Sequence, residues 1–455
     1  MSLKKTIRKG VNIRLAGIPA NTVTDAPKSS YYSVQPPDFT GLTPKMNVKE
    51  GDAVEAGSAL FHDKNAPSVH YTSPVSGTVS AIVRGAKRRV LSVEITPSES
   101  DSHINFSVSD LKNMGRDTLL AKILEGGMFP FFRQRPYDVI ANPADSPRSI
   151  HISGFDSSPL AATTSIALDG RMNDFQNGIN ALSILSGEGG VHIGAEYGDA
   201  TFKDVEGCTI TEFQGPHPAG NVGVQIHHTM PVNKGEVVWT IGYQDVANLG
   251  GFLATGKYIP TRVVACGGSE CSSPAHVRTL AGASIKSLVN VPSEASNGDS
   301  VRIISGNVLT GSHVGLDGFL GAYHTSVALI SEGNEPKFLL TSGWLGLGLS
   351  RFSLSKAFPT WLMPKSKTWN LDTNMGGEER AFVVSGEYEK VFPFDIYPVH
   401  LLKSIIVNDI DSMEKLGIYE VAPEDFALCE FGCTSKIEAQ KIIREGLDSL
   451  RIELS

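Results

Sequence analysis

The sequence predicts an α+β chain of several domains, and three observations carry that prediction. Apolar residues alternate at period two between Gly41 and Ile95; strand-like and helix-like runs alternate between residues 106 and 256; and the final segment carries apolar residues three and four apart. With 455 residues the chain exceeds one ordinary core, so about three or four domains of about 100–150 residues are expected. We divide it into residues 1–105, 106–256, 257–336 and 337–455. The 46 glycines and 25 prolines favour turns over long helices.

Residues 1 to about 35 hold short alternating segments broken by Gly, Pro and Asn, and read as an extended arm rather than core. From Gly41 to Ile95 short strands carry Val48, Val54, Leu60, Val75, Val79, Ile82, Val90, Val93 and Ile95, with turns at Gly51-Asp52, Gly57 and Ser76-Gly77. The pattern is a small β-barrel sandwich. Its GDAVEAGSAL and SPVSGTV segments resemble the half-barrels of biotinyl and lipoyl carriers, where a hairpin-tip lysine is modified. Lys64 is the candidate, but it follows Leu60 closely and Pro67, His70 and Tyr71 crowd the hairpin, so a structural or docking barrel is preferred. The cluster Arg84 to Arg89, RGAKRR, reads as a solvated hairpin tip.

Helical periodicity follows between Ser107 and Gly127, with Asp110 near its start. It ends in Leu124 to Tyr137, LEGGMFPFFRQRPY. Gly126 and Gly127 could bring bare amides to a phosphate, but Met128, Phe129, Phe131 and Phe132 fill the space a nucleotide needs. Arg133 and Arg135 add positive charge, and Pro130 and Pro136 stiffen the loop. Further strands at YDVIANP, PRSIHIS and GGVHIGAE and a helix from Asp174 to Leu185 make a Rossmann-like α/β layer. The run GEGGVHIG puts His192 where a third glycine belongs and leads into a strand, and no P-loop is present, so a nucleotide fingerprint is disfavoured.

His217, His227 and His228 raise the question of a metal. Read on a strand, His227 and His228 point to opposite faces and do not share an ion, so capping or partner contacts are expected. Asp245 is a plausible ion-pair partner for Arg135. From Ile259 strands around one short helix read as a β-grasp domain. Cys266 with Cys271 and Cys429 with Cys433 lack the spacing usual for zinc or iron–sulfur ligation. Phe338 to Pro364 is the most apolar portion, with Trp344 and Trp361 among glycines, and suits either core or a surface for a membrane-embedded partner. Leu401, Leu402, Ile405, Ile406, Met413 and Leu416 form one helical stripe and Ile442, Ile443, Leu447, Leu450 and Leu454 another. Ser435 with Glu438 reads as a capping box, and Pro423, Glu424 and Asp425 start the helix between.

The net charge of −8 offers no footprint for nucleic acid. No run approaches the length needed to span a bilayer, no signal segment opens the chain, and five scattered cysteines do not make a disulfide framework. A cytoplasmic protein is expected.

The order of barrel, EGGMFPFFRQRPYD, HPAGNVGVQIHH, IGYQDV, β-grasp and LCEFGCTSK resembles the NqrA family of bacterial Na+-translocating NADH:quinone oxidoreductases over nearly the whole chain. That family is related to the NADH-binding flavoprotein of complex I and to the RnfC component of the Rnf complex. In those relatives a glycine-rich loop cradles flavin mononucleotide and a cysteine cluster in the last domain holds iron and sulfur. Against that pattern Gly126 and Gly127 persist, while Phe129, Phe131, Arg133 and Arg135 mark a degenerate flavin loop. Cys429 and Cys433 are the remnant of a cluster. The resemblance implies a peripheral subunit on the cytoplasmic face of the inner membrane, without its own flavin, metal or catalytic residues. NADH, flavins, iron–sulfur centres and quinone would belong to partner subunits, some membrane-embedded. The loop from Phe129 to Arg135 would act as an interdomain plug, or lie near a quinone head group. The alternatives are a flavin-binding dehydrogenase of the Rnf or complex I type and the lipoyl or biotinyl carrier at Lys64.

Overall fold

The computed structural model describes residues 3–107, 111, 114–289, 300–334, 348–349, 351–354 and 358–454. Its first three strands, β1 (Leu3–Thr6), β2 (Ala20–Asp25) and β3 (Tyr32–Val34), belong to three different sheets. The expected arm is therefore structural: Ile7, Ile13 and Leu15 are buried. Such short strands carry too little periodicity to announce this, because the partners of β1 and β2 lie two hundred residues away and supply the pairing edge.

Strands β4 (Pro44–Met46), β5 (Ala53–Val54), β6 (Ala59–Asp63), β7 (His70–Thr72), β8 (Gly77–Arg84) and β9 (Val90–Pro97) build the barrel. One sheet runs β3-β9-β8-β5 and the other β4-β6-β7. Leu60, Val79, Val93 and Ile95 have no exposed surface, as the period-two reading expects, while Phe61 is equally buried beside Leu60, where the register of β6 against β7 shifts. The basic cluster forms the exposed tip of the β8–β9 hairpin, with a 3-10 turn over Ala86–Arg88.

The next helix, α1 (Arg116–Glu125), opens the α/β layer; Asp110 lies outside the described residues. There follow β10 (Arg133–Arg135), β11 (Val139–Ile140), β12 (Ser149–Ser153), α2 (Thr164–Ala167), α3 (Met172–Leu185), β13 (Gly190–Glu196), β14 (Thr209–Gln214), α4 (Val222–Thr229), β15 (Val238–Thr240) and α5 (Tyr243–Thr255). The seven-stranded sheet has the order β1-β14-β13-β12-β15-β10-β11. Strands β1, β14, β13, β12 and β15 are parallel, while β10 and β11 are antiparallel additions. The chain moves outward from β12 through β13 to β14, then returns to the other side of β12 as β15. Helices α3 and α5 pack closely because glycines face the contact: a Cβ on Gly250 would lie 1.8 Å from the Asp174 carbonyl oxygen.

Strands β16 (Thr261–Gly267), β17 (Ala275–Leu280), β18 (Val301–Ser305), β19 (Ser312–His313) and β20 (Ser326–Ser331) join β2 in a six-stranded mixed sheet, β19-β18-β20-β16-β17-β2. Where one short helix was expected, the described residues show a 3-10 turn at Ile285–Ser287. The chain closes with α6 (Pro398–Ile406), α7 (Ile410–Lys415), α8 (Ala427–Gly432) and α9 (Ala439–Leu454).

The helical stripes hold at Leu401, Leu402, Met413, Ile443, Leu447 and Leu450, all fully buried. They fail at Ile406 and Leu454, the last residues of α6 and α9, which are 56% and 48% exposed. The capping box is not made. Ser435 donates to the Ala381 carbonyl and Glu438 pairs with Lys441, because α9 begins only at Ala439. Residues 338–347, 350 and 355–357 of the apolar portion, Trp344 included, lie outside the described residues, and Trp361 is exposed. No helix among the described residues is long and apolar enough to cross a membrane.

Candidate functional site

The EGGMFPFF loop begins as a helix ending. Gly127 adopts φ +68°, its amide donates to the Leu124 carbonyl, and the Met128 amide reaches back to Ile123. Together these are the paired bonds of a Schellman cap, and the Gly126 amide donates to Lys122. The three amides that might have cradled a phosphate are thus committed to carbonyls. Neither glycine leaves space: a Cβ on Gly126 would lie 2.1 Å from the Phe252 ring, and one on Gly127 2.3 Å from the Thr72 side chain. Gly127 is the close approach of this loop to the barrel.

Beyond the cap the aromatics form a plug. Phe129 and Phe132 have no exposed surface and stack at 5.5 Å, and the Trp239 ring from β15 packs edge-on against both. Phe131 turns the other way, beneath the Arg262 guanidinium at 5.3 Å and against Tyr323, whose hydroxyl donates to the Pro130 carbonyl. The loop therefore ties the α/β layer to the six-stranded sheet as well as to the barrel.

The loop's arginines are both paired. Arg133 donates to Asp138 at 2.5 Å. Arg135, 1% exposed, donates to Glu424 at 2.9 Å and to Asp425 at 3.1 Å at the start of the last helical segment. The expected Arg135–Asp245 pair does not form. Asp245 lies in α5 and meets Arg262 at 2.6 Å, both inside the contact between the α/β layer and β16. An arginine in the apolar strand TRVVACG was the signal for this partner, because a buried cation requires a nearby anion. Glu424 and Asp425 were read only as helix starters, and their link to Arg135 across some 290 residues has no local signature. Burial pushes the Glu424 carboxyl up to about 7 against the lowering pull of Arg135.

At the carboxyl ends of β12 and β15, where the strand order reverses, a cleft opens between the α/β layer, the six-stranded sheet and the helical unit. Such switch points are where open α/β sheets place ligands. One part encloses about 210 Å³ and includes Asp156, Gly242, Tyr243 and Glu424; the adjoining part encloses about 360 Å³ and includes Asp138 and Arg444. Arg133, Tyr323 and Asn307 border both. Arg444 is held by Asp448 and by the Tyr137 and Asp138 carbonyls. Carboxylates outnumber guanidinium groups in this lining, an unfavourable setting for a phosphate.

Asp38 borders the second part and accepts from the Ala322 amide at 2.8 Å. Burial raises its pKa to about 6. A carboxyl with a raised folded-state pKa holds its proton more tightly folded than unfolded, so its contribution is complete below about pH 4 and lost as pH rises through 6. The advantage of Asp38→Asn over the wild type is expected to grow between pH 4 and 6 and then level off, read as the difference in urea midpoints across that range.

The remaining candidates are dispersed. His227 and His228 lie on helix α4, not on a strand. The Asp395 amide donates to His227 Nε2, so His227 Nδ1 carries the proton and donates to Glu420; His228 donates to the Pro393 carbonyl. Both tie α4 to the helical unit. His217 is buried, which lowers its pKa to about 4, and bonds Ser157. Cys429 and Cys433 are buried, and burial pushes the Cys429 thiol well above its ordinary range. Among the described residues no group of three His, Cys, Asp or Glu side chains is placed to hold a metal. Lys64 is exposed directly after β6.

Fold and site together define a mixed α/β protein with an N-terminal barrel-sandwich hybrid, whose layers close around a three-way cleft. Family models match in that order: the NqrA N-terminal barrel-sandwich hybrid domain over residues 5–98, the NqrA second alpha/beta domain over 114–258, and the NQRA C-terminal domain over 263–315. The chain belongs to the NqrA family of the Na(+)-translocating NADH-quinone reductases. It is 37% identical over 454 residues to the family member of Rhodopirellula baltica, covering 98% of both chains. Identity is 36% to those of Yersinia pestis bv. Antiqua and Hahella chejuensis, covering 98% of this chain and 99% of each relative. Among solved structures, an NAD+-reducing [NiFe]-hydrogenase in the air-oxidized state is 10% identical with a TM-score of 0.37, over 75% of this chain and 64% of that one. So distant a likeness carries no argument.

Proposed function

We propose that the chain is a peripheral subunit of a membrane Na+-translocating NADH–quinone reductase, on the cytoplasmic face of the inner membrane. It carries no flavin or iron–sulfur centre of its own and acts in assembly with membrane-embedded partners that hold the redox groups. One observation carries this reading: the amides of Gly126, Gly127 and Met128 close a helix, and Phe129 and Phe132 fill the adjoining core. The same reading at the second site is supported by geometry: among the described residues Cys429 and Cys433 belong to no group of three His, Cys, Asp or Glu side chains placed to hold a metal. Within it, residues 106–256 form a Rossmann-like unit, 257–336 a β-grasp unit and 337–455 a connector with a helical bundle; strands β1 and β2 pair outside the first unit, 1–105. A quinone contact at the loop would run through Phe131 and Arg133, the loop side chains that border the cleft.

The purified chain tests the reading. Its absorption spectrum is expected to show protein bands without flavin, and its intact mass to be that of the unmodified polypeptide. Flavin near stoichiometry would replace this reading with the flavoprotein of Rnf or complex I type. A lipoyl or biotinyl adduct on Lys64 would replace it with a carrier.

A further inference from the structure

Between residues 336 and 371 the sequence holds five basic residues, Lys337, Arg351, Lys356, Lys365 and Lys367, and no Asp or Glu. The whole chain carries 40 basic and 48 acidic residues, so the rest has 35 against 48, a net −13 beside this segment's +5. Within it a short 3-10 turn, Pro359–Leu362, projects Trp361 and Leu362, which are 62% and 66% exposed. Leu349, in the same segment, is 52% exposed.

The turn is built. Buried Thr360 accepts from the Ser353 amide and donates to the Arg351 carbonyl, and Arg351 lies over the Phe358 ring. On its far side Arg14 donates to the Pro364 carbonyl, and buried Trp369 bridges to Leu15. A tryptophan and a leucine held out on a braced turn, with lysines three to six residues on, match the chemistry of a bilayer interface. There indole sits at headgroup level, and long basic side chains reach the phosphates. A protein interface core also takes tryptophan and arginine but is depleted in lysine, so the two lysines beside the turn favour lipid.

We propose that this turn is a membrane-surface anchor: Trp361 and Leu362 enter the headgroup layer of an anionic phospholipid bilayer while Arg351, Lys365 and Lys367 meet its phosphates. The contact is made by this chain with lipid directly, and so goes beyond docking on membrane subunits.

The test is co-sedimentation of the full chain with vesicles of mixed phosphatidylglycerol and phosphatidylcholine, against phosphatidylcholine alone. Binding is expected to the anionic vesicles and to fall with added salt. Each lysine is expected to contribute about fivefold, so Lys365→Gln with Lys367→Gln should weaken binding about 25-fold. Trp361→Ser with Leu362→Ser should weaken it at least about tenfold. Trp361, Leu362 and Lys365 are exposed, and Lys367 is half-buried over the ring of Trp369, so an unchanged far-UV spectrum separates lost binding from lost fold. Tryptophan emission should shift to the blue on anionic vesicles in the wild type and not in Trp361→Phe. Absent binding, or binding that ignores both double variants, overturns the anchor. So does shielding of Trp361 from an aqueous quencher only when the membrane subunits are present, which would make the turn a protein contact. The vesicles hold no partner protein, so this failure leaves the flavin-free reading standing, and a flavin spectrum leaves the anchor standing.

Discussion

Replacing Asp425 by alanine is expected to destabilise the attachment of the helical unit by about 3–5 kcal/mol, the usual result of removing one partner of a buried ion pair. Asp425 has no exposed side-chain surface and Arg135 only 2%. Without Asp425 the guanidinium keeps Glu424 alone, which is 31% exposed and bonds a single nitrogen. The variant also strips the Ala422 amide of the acceptor that fixes the start of this segment. The measurement is the urea midpoint of the helical far-UV signal, followed alongside proteolysis of α6 to α9. The double variant Arg135→Met with Asp425→Leu is expected to recover part of the loss, since it removes the unpaired buried charge while the Ala422 amide and Glu424 still lose their partners. A double variant no better than Asp425→Ala would mean that the pair acts through its hydrogen bonds and not through an unpaired charge.

That ion pair also marks where local sequence stops being readable. The barrel was legible because its strands carry both periodicity and turn residues locally, and α3 and α9 because their apolar residues repeat over three or more turns. The aromatic loop was legible as a filled space because four large apolar side chains next to two glycines conflict with a phosphate cradle. What could not be read were contacts set by distant partners. Strands β1 and β2 join sheets far along the chain, Arg135 meets Glu424 and Asp425, and Asp245 meets Arg262. His227 and His228 were misplaced for a local reason: VGVQIHH is rich in β-branched residues, and burial of Val224 and Ile226 against neighbouring elements overrides that propensity to make a helix.

The glycine pair has the same origin: GG after a helix is as much the signature of a Schellman cap as of an anion site, and only the next residues decide. Phe129→Ala separates a plug over a latent pocket from a continuous core. If the ring merely occupied a flavin site, its removal would open that site with little loss of stability. The surroundings argue otherwise, because Phe129 is enclosed by Phe132 and Trp239 and has no exposed surface. Truncation is expected to destabilise the chain by about 3–5 kcal/mol, as for other fully buried phenylalanines. It is also expected to give no flavin binding, since the amides of Gly127 and Met128 stay bonded to Leu124 and Ile123 whatever stands at position 129. Urea unfolding and titration with flavin mononucleotide, on the same preparation, decide the matter. A variant that kept wild-type stability and bound flavin would show that the cradle survives beneath the ring. A destabilised variant that binds none would show that the loop has become core, its glycines retained for close packing against Phe252 and Thr72.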